Sequence, residues 1–308
     1  MAATRPIPAA DKASLGEAGF VLIAVLWMLA ALATLASIYS VYTRNTAVAS
    51  HVYDDRLQAE ASILAGVEMA AYRQLAGAER DRPPQGRFGL RVGRSAVEVR
   101  FRSEAARIDL NAAPAVVLSG LFTAVGAPPD RAKTFADRVV GWRTRDEANT
   151  VSKEAKLYGD LHLPYPPRLA PFDNALELSL LPGIPKPVVE KILPLVTVFS
   201  GAATVDVRVA DPLALMALPG MTPEILDKVL KARAAGSIDP ARLIDMLGPA
   251  KEHASVDPPK AVRAEIEVEF DGGRRVRAEV VFRLKEGGED PYDLLYWRDD
   301  FDGPMQEA

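Results

Sequence analysis

Phe20–Thr43 reads FVLIAVLWMLAALATLASIYSVYT and carries no charged residue. A helix rises 1.5 Å per residue, so this stretch reaches about 36 Å, more than the roughly 30 Å hydrocarbon core of a bilayer. A buried helix of this length in a globular protein shows a polar stripe, and here no polar side chain comes before Thr34. Trp27 lies within the run, while Tyr39 and Tyr42 fall at its far end, where aromatic rings favour the membrane interface. The stretch is therefore predicted to enter a membrane as a single helix.

The residues before Phe20 are polar, include Arg5 and Lys12, and end in Glu17-Ala18-Gly19. Three fates are open to such a start: a retained signal anchor, a signal peptide cut after Ala33 or Ala36, or cleavage between Gly19 and Phe20. The third rests on a resemblance. A polar leader ending in glycine, then phenylalanine and an apolar run, resembles the processing site of type IV pilins and pseudopilins. That resemblance implies a prepilin peptidase that cuts after Gly19 and methylates the new N-terminus at Phe20. Residues 1–19 are then the leader, and 20–43 the transmembrane part of a longer helix. Pilins carry glutamate as the fifth mature residue, thought to meet a neighbour's terminal amine inside the membrane, where a lone carboxylate is costly. Ala24 stands there in this chain.

From Val52 to Gly77, Leu57, Ala61, Leu64, Glu68, Ala71 and Leu75 recur at spacings of three or four, which predicts that the helix continues. Gly77 and RDRPPQG stop it. Two strands follow, GRFGLRVG and SAVEVRFRSE, with Val97, Val99 and Phe101 alternating with charged residues. The same texture returns only near the C-terminus. There AEIEVEF turns at Asp271-Gly272-Gly273 into Val276–Leu284, and PYDLLYWR adds a last strand. Hairpins at both ends join into one antiparallel sheet beneath the helix. The expected class is α+β: a pilin-like long N-terminal helix on an antiparallel sheet, with a large helical insert between strands. Residues 44–105 hold the helix continuation and first strands, 106–259 the insert, 260–298 the remaining strands, and 299–308 an acidic, disordered tail.

The insert repeats itself weakly. IDLNAAPAVVLSGL and VDVRVADPLALMAL share an apolar-Asp-apolar start, then a proline and a short apolar helix. LSLLPGIPKPVVEKIL and MALPGMTPEILDKVLKAR each read as a helix-hairpin-helix around a Leu-Pro-Gly turn. RIDLNAAPAVVLSGLF, DRVVGWRTRDEA, KEAKLYGD and YPPRLAPFDNALELSLLPGI follow one another in an order that resembles the insert of type II secretion protein K. Asn111, Trp142, Glu154 to Tyr158, Phe172 and Glu177-Leu178 carry the match. In that family the pilin glutamate is also missing, as at Ala24, and the subunit caps a filament tip with none above it. Two departures stand out. Arg143 and Arg145 crowd Trp142 where the family has aspartates, and Arg208 follows Asp206 where it keeps asparagines. Calcium sites known in some relatives would fall on Asp146, Glu147, Asp160 and Asp173, and the inserted arginines argue against them.

Composition narrows the chemistry. The chain has no cysteine and three scattered histidines (His51, His162, His253), so thiolate, disulfide and histidine-cluster metal chemistry lack the residues they need. No nucleophile–base pair suggests itself, and no enzyme activity is expected. The resemblance implies a structural role: a minor pseudopilin that caps the tip of the type II secretion pseudopilus in protein export. Its anchor would sit in the inner membrane with the C-terminal domain in the periplasm. Its partners would be other minor pseudopilins, the prepilin peptidase and secreted proteins, with contacts through helix residues such as Leu64 and Leu75. The alternative is a membrane-anchored helix-hairpin-helix DNA-uptake protein. Against it, neither Leu-Pro-Gly hairpin has a second glycine, and net charge is −4, so no nucleic acid is expected.

Overall fold

The computed structural model describes residues 14–145, 153–236, 239–285, 287 and 289–301, without the side chains of 14–19 and 44–54. Asp146, Glu147 and the last residues of the tail lie outside the described residues. Two compact units are distinguished, residues 1–58 and 59–308.

Helix α1 (Ser14–Leu75) starts six residues before Phe20. Ser14 with Glu17 three residues on is the pattern that closes a helix start, and Leu15 and Ala18 are good helix formers. No helix break falls between Gly19 and Phe20. In the first unit, Phe20–Thr43 has a mean hydropathy of 2.5, and none of it is buried in the protein. Three of its hydroxyls bond back to carbonyls of the same helix, which suits a bilayer. Thr34 donates to the Ala30 carbonyl at 2.8 Å, Ser37 to Ala33 at 2.9 Å and Thr43 to Tyr39 at 3.0 Å.

In the second unit the end of α1 packs on the sheet through Ala59, Ile63, Val67, Ala70 and Ala71. This corrects part of the face read from the sequence, of which Ala71 and Leu75 alone turn inward. Leu57, Ala61, Leu64 and Glu68 point outward, Leu57 and Leu64 nearly half exposed, and Leu75 packs against the sheet instead of being free for contacts. Small residues win the inner face because they let the helix come close. A Cβ added at Gly66 would stand 3.1 Å from Val99 Cγ2.

β1 (Gln85–Val92) and β2 (Ser95–Ser103) form the first hairpin. The insert follows. It comprises β3 (Ile108–Asp109), α2 (Ala115–Ala124), α3 (Pro129–Arg143), α4 (Lys153–Asp160), α5 (Lys186–Ile192), β4 (Val196–Thr197), β5 (Val205–Asp206), α6 (Pro212–Met216), α7 (Pro223–Ala234), α8 (Pro240–Asp245) and β6 (Ala254–Ser255). The chain then returns to the sheet with β7 (Ala261–Glu269), β8 (Arg275–Leu284) and β9 (Tyr292–Asp299). Sheet order is β1-β2-β7-β8-β9, antiparallel throughout. β2 meets β7 directly, Val99 opposite Ile266, so the two sequence-separated hairpins close one sheet around the insert. The expected fold class holds. The insert is helical, with a core of its own that includes Leu118, Leu121, Phe122, Val139 and Leu215, and it also carries two parallel bridges, β3–β4 and β5–β6.

Candidate assembly surface and the insert hub

The residues that carry the sequence resemblance converge in the insert. Trp142 on α3 stacks at a tilt against Tyr158 of α4 and Phe172, with ring centroids 6.0 and 6.1 Å apart. Its Nε1 donates to Glu177 Oε2 at 3.0 Å, while Glu177 Oε1 accepts from the amides of Asp173 and Asn174 at 3.0 and 3.2 Å. Asn111 clasps the backbone of Phe172 twice: Nδ2 donates to its carbonyl at 2.9 Å, and Oδ1 accepts from its amide at 2.7 Å. These are framework contacts. They hold a loop against a helix and leave no reacting group free. Burial first, then Glu154, raises the Tyr158 hydroxyl well above the usual tyrosine range. Burial also pushes Glu154 up, against the pull of Arg138, whose Nη1 lies 2.9 Å away.

Both departures prove structural. Arg143 donates to the carbonyls of Leu110 and Ala113, tying α3 to the turn after β3. Arg208 grips Asp206 with Nε at 2.9 Å and Nη2 at 2.8 Å. The internal repeat is real in space as well. Asp109 sits on the β3–β4 bridge and accepts from the Asn111 and Gly201 amides at 2.7 Å each, and Asp206 sits likewise on β5–β6. Of the calcium candidates, Asp160 ends α4 exposed and Asp173 is paired with Arg168. Among the described residues no group of three or more His, Cys, Asp or Glu side chains could hold a metal.

A buried ion network joins insert and sheet. Glu104, 1% exposed, accepts from Thr197 of the insert and from Arg263 Nε of β7 at 2.5 Å. Arg263 also pairs with Glu279 of β8, which in turn receives Arg298 Nη2 at 2.7 Å. Burial pulls Arg263 down, but Glu104 and Glu279 outweigh it and hold the guanidinium charged. Burial likewise pushes Glu279 up, and Arg263, Arg298 and Arg107 outweigh it, leaving the carboxyl below its ordinary range.

The outer side of α1 leaves apolar residues open among the described residues of the second unit. Leu64 and Tyr72 are 45% and 67% exposed, with Met69 beside them. Glu68, between them, accepts a 2.9 Å hydrogen bond from the Tyr292 hydroxyl; burial and that bond push Tyr292 up to about 12. The two Leu-Pro-Gly hairpins differ in how open they are. A Cβ at Gly220 would stand 2.9 Å from Pro249 Cβ, so that turn is covered; Gly183 is open, but its carbonyl already accepts from Arg131.

Residues 99–201, from β2 through the first half of the insert, match the family model of protein K of the type II secretion system. Over that stretch, about a third of its length, the chain is similar to protein K. The resemblance read from Asn111, Trp142, Phe172 and Glu177 is thereby borne out. No curated protein matches the chain. Among solved structures it is similar to a chain of the GspK-GspI-GspJ complex of the enterotoxigenic Escherichia coli type 2 secretion system. Identity is 15%, the match covers 81% of this chain and 98% of that one, and the TM-score is 0.58. At that identity the likeness concerns the fold alone. Protein K is a structural pseudopilin component, and the apolar helix of this chain fits a single-pass membrane anchor.

Proposed function

We propose that this chain is the minor pseudopilin that caps the tip of a type II secretion pseudopilus, a structural part of protein export without catalysis. The observation that carries the reading is the insert between β2 and β7, a second cored body on a pilin-like sheet. Such bulk suits a filament end better than the close stacking of its shaft. Ala24 agrees with it, since a terminal subunit needs no carboxylate for the amine of a subunit above. The anchor lies in the inner membrane, with the sheet and insert in the periplasm. No cofactor is required, and calcium at Asp160 or Asp173 is no part of the reading.

Processing at Gly19–Phe20 belongs to the same proposal. Mass spectrometry of the mature chain from native membranes should find an N-methylated Phe20 at the N-terminus. A chain that begins after Ala33 or Ala36 would sink the pseudopilin reading, and an intact Met1 would favour a plain signal anchor. Because α1 already covers Gly19, the peptidase must unwind the helix start to reach the bond.

The protein similar in fold comes from a complex of GspK with GspI and GspJ. We take the partners of this chain to be other minor pseudopilins, docked on the open side of α1 at Leu64, Met69 and Tyr72. Leu64→Asp should leave the fold intact, because Leu64 is half exposed, and weaken association by about 2 kcal/mol, roughly thirtyfold. Co-purification with the other minor pseudopilins, quantified against the wild type, checks this; undiminished recovery would place the interface elsewhere.

A further inference from the structure

Where the insert meets the sheet, a charged side chain is left over. Arg107 follows the turn at Glu104–Ala106, and its guanidinium makes no hydrogen bond or ion pair with any described residue. The carboxylates in its field, Glu104 and Glu279, are taken up by Arg263. Burial, then repulsion from Arg263, lowers its affinity for its proton, the mark of a cation that lacks an anion. Arg102, on the outward side of β2, is exposed and equally without a partner among the described residues.

Arg107 and Arg263 line two adjoining clefts. The first, of about 510 Å³, has five arginines against two glutamates in its walls, Arg102 among them, in a chain whose net charge is −4. The second, of about 260 Å³, is walled on the insert side by Leu176, Leu193 and Phe199 and on the sheet side by Tyr296. Leu176 is 51% exposed at this cleft, and the Phe199 and Tyr296 rings face each other at 6.0 Å. A cationic cleft and a cleft with an apolar wall, whose sheet side also carries Glu279 and Arg298, thus share the same pair of arginines.

We propose that these clefts form one groove that binds a polypeptide segment carrying an acidic residue next to an apolar one. The carboxylate lies between Arg102 and Arg107, where a guanidinium offers paired donors to a planar anion, and the apolar side chain lies against Leu176 and Phe199. Inorganic phosphate would satisfy only the arginines, and a fatty acid would bind without requiring a peptide backbone. The groove stands independently of the filament role and of the open side of α1.

The test uses the full-length chain in detergent and a labelled eight-residue peptide with two Glu-Leu pairs, followed by fluorescence anisotropy at low salt. Saturable binding is expected. It should weaken on the order of thirtyfold when Arg107→Gln is introduced, and similarly when glutamine replaces both glutamates of the peptide. Arg102→Gln should weaken it less, since that side chain is more exposed, and Leu176→Ala should weaken it without changing the salt dependence. Unchanged thermal melting of Arg102→Gln and Leu176→Ala separates loss of the groove from loss of the fold. Absence of saturable binding, or equal binding by Arg107→Gln, overturns the proposal. So does full displacement by equimolar phosphate or decanoate, which would make this a simple anion or amphiphile site.

Discussion

Replacing Arg263 with methionine is expected to destabilise the second unit by about 3–5 kcal/mol, because it strands two carboxylates in the interior. Glu104 is 1% exposed and Glu279 also lies inside, and both face the same guanidinium. The loss should lower the melting temperature by roughly 6–20 °C in a domain of this size. The triple variant Arg263→Met, Glu104→Gln, Glu279→Gln should recover most of it. Neutral amides carry no comparable desolvation penalty, and the glutamine introduced by Glu104→Gln keeps an oxygen that can accept from Thr197. Calorimetry of wild type, single and triple variants reads the comparison, and a single variant as stable as wild type would mean the network contributes nothing.

The same network sets a sign for acid sensitivity. Glu279 has a folded pKa below its ordinary value. Its contribution is therefore present above the unfolded pKa and is lost as pH falls through the folded one, from about pH 4 downward. In Arg263→Met only Arg298 and Arg107 still oppose burial, so the folded pKa of Glu279 rises and the stability lost on acidification should shrink relative to wild type. Because Thr197 brings the insert to this network, the pH profile also reports how firmly insert and sheet are joined.

What is legible in the sequence is what repeats locally. The apolar run from Phe20, the alternation of Val97, Val99 and Phe101, and the Asp271-Gly272-Gly273 turn each declare their element within a short window. Joining the hairpins across the insert follows from their shared texture, and β2 against β7 bears it out. The buried face of α1 departs from the expected one for a physical reason. Periodicity gives weight to large residues such as Leu57 and Leu64, whereas a helix lying close on a sheet selects Ala59, Gly66 and Ala70; of the expected face only Ala71 and Leu75 turn inward. The bridges β3–β4 and β5–β6 have two residues per strand, too few to show any period, and their partners Val196 and Ala254 lie far along the chain. Arg143 and Arg208 look like departures from a family pattern because their acceptors, a distant carbonyl pair and the adjacent Asp206, take meaning only in three dimensions.

Close approach of backbones also decides the second large effect, at Gly120 in α2. A Cβ built there would fall 2.0 Å from the Ala217 carbonyl oxygen and 2.8 Å from its carbon, well inside contact distance. The obstacle is backbone at the end of α6, so no side-chain rotation relieves it, and Ala217→Gly offers no compensation. Alanine in place of glycine within a helix would otherwise stabilise by about 0.5–1 kcal/mol. Overpacking must exceed that gain, and the net expectation for Gly120→Ala is a loss of about 3 kcal/mol, with α2 pushed from α6 and the insert core opened around Leu118 and Leu215. Gly159 in α4 is the contrast, because nothing lies within 4 Å of its added Cβ. Gly159→Ala should therefore be neutral or slightly stabilising. Denaturant unfolding of the two variants side by side separates a glycine kept for closeness from one that is not, and equal stability of both would show that α2 and α6 can part without loss.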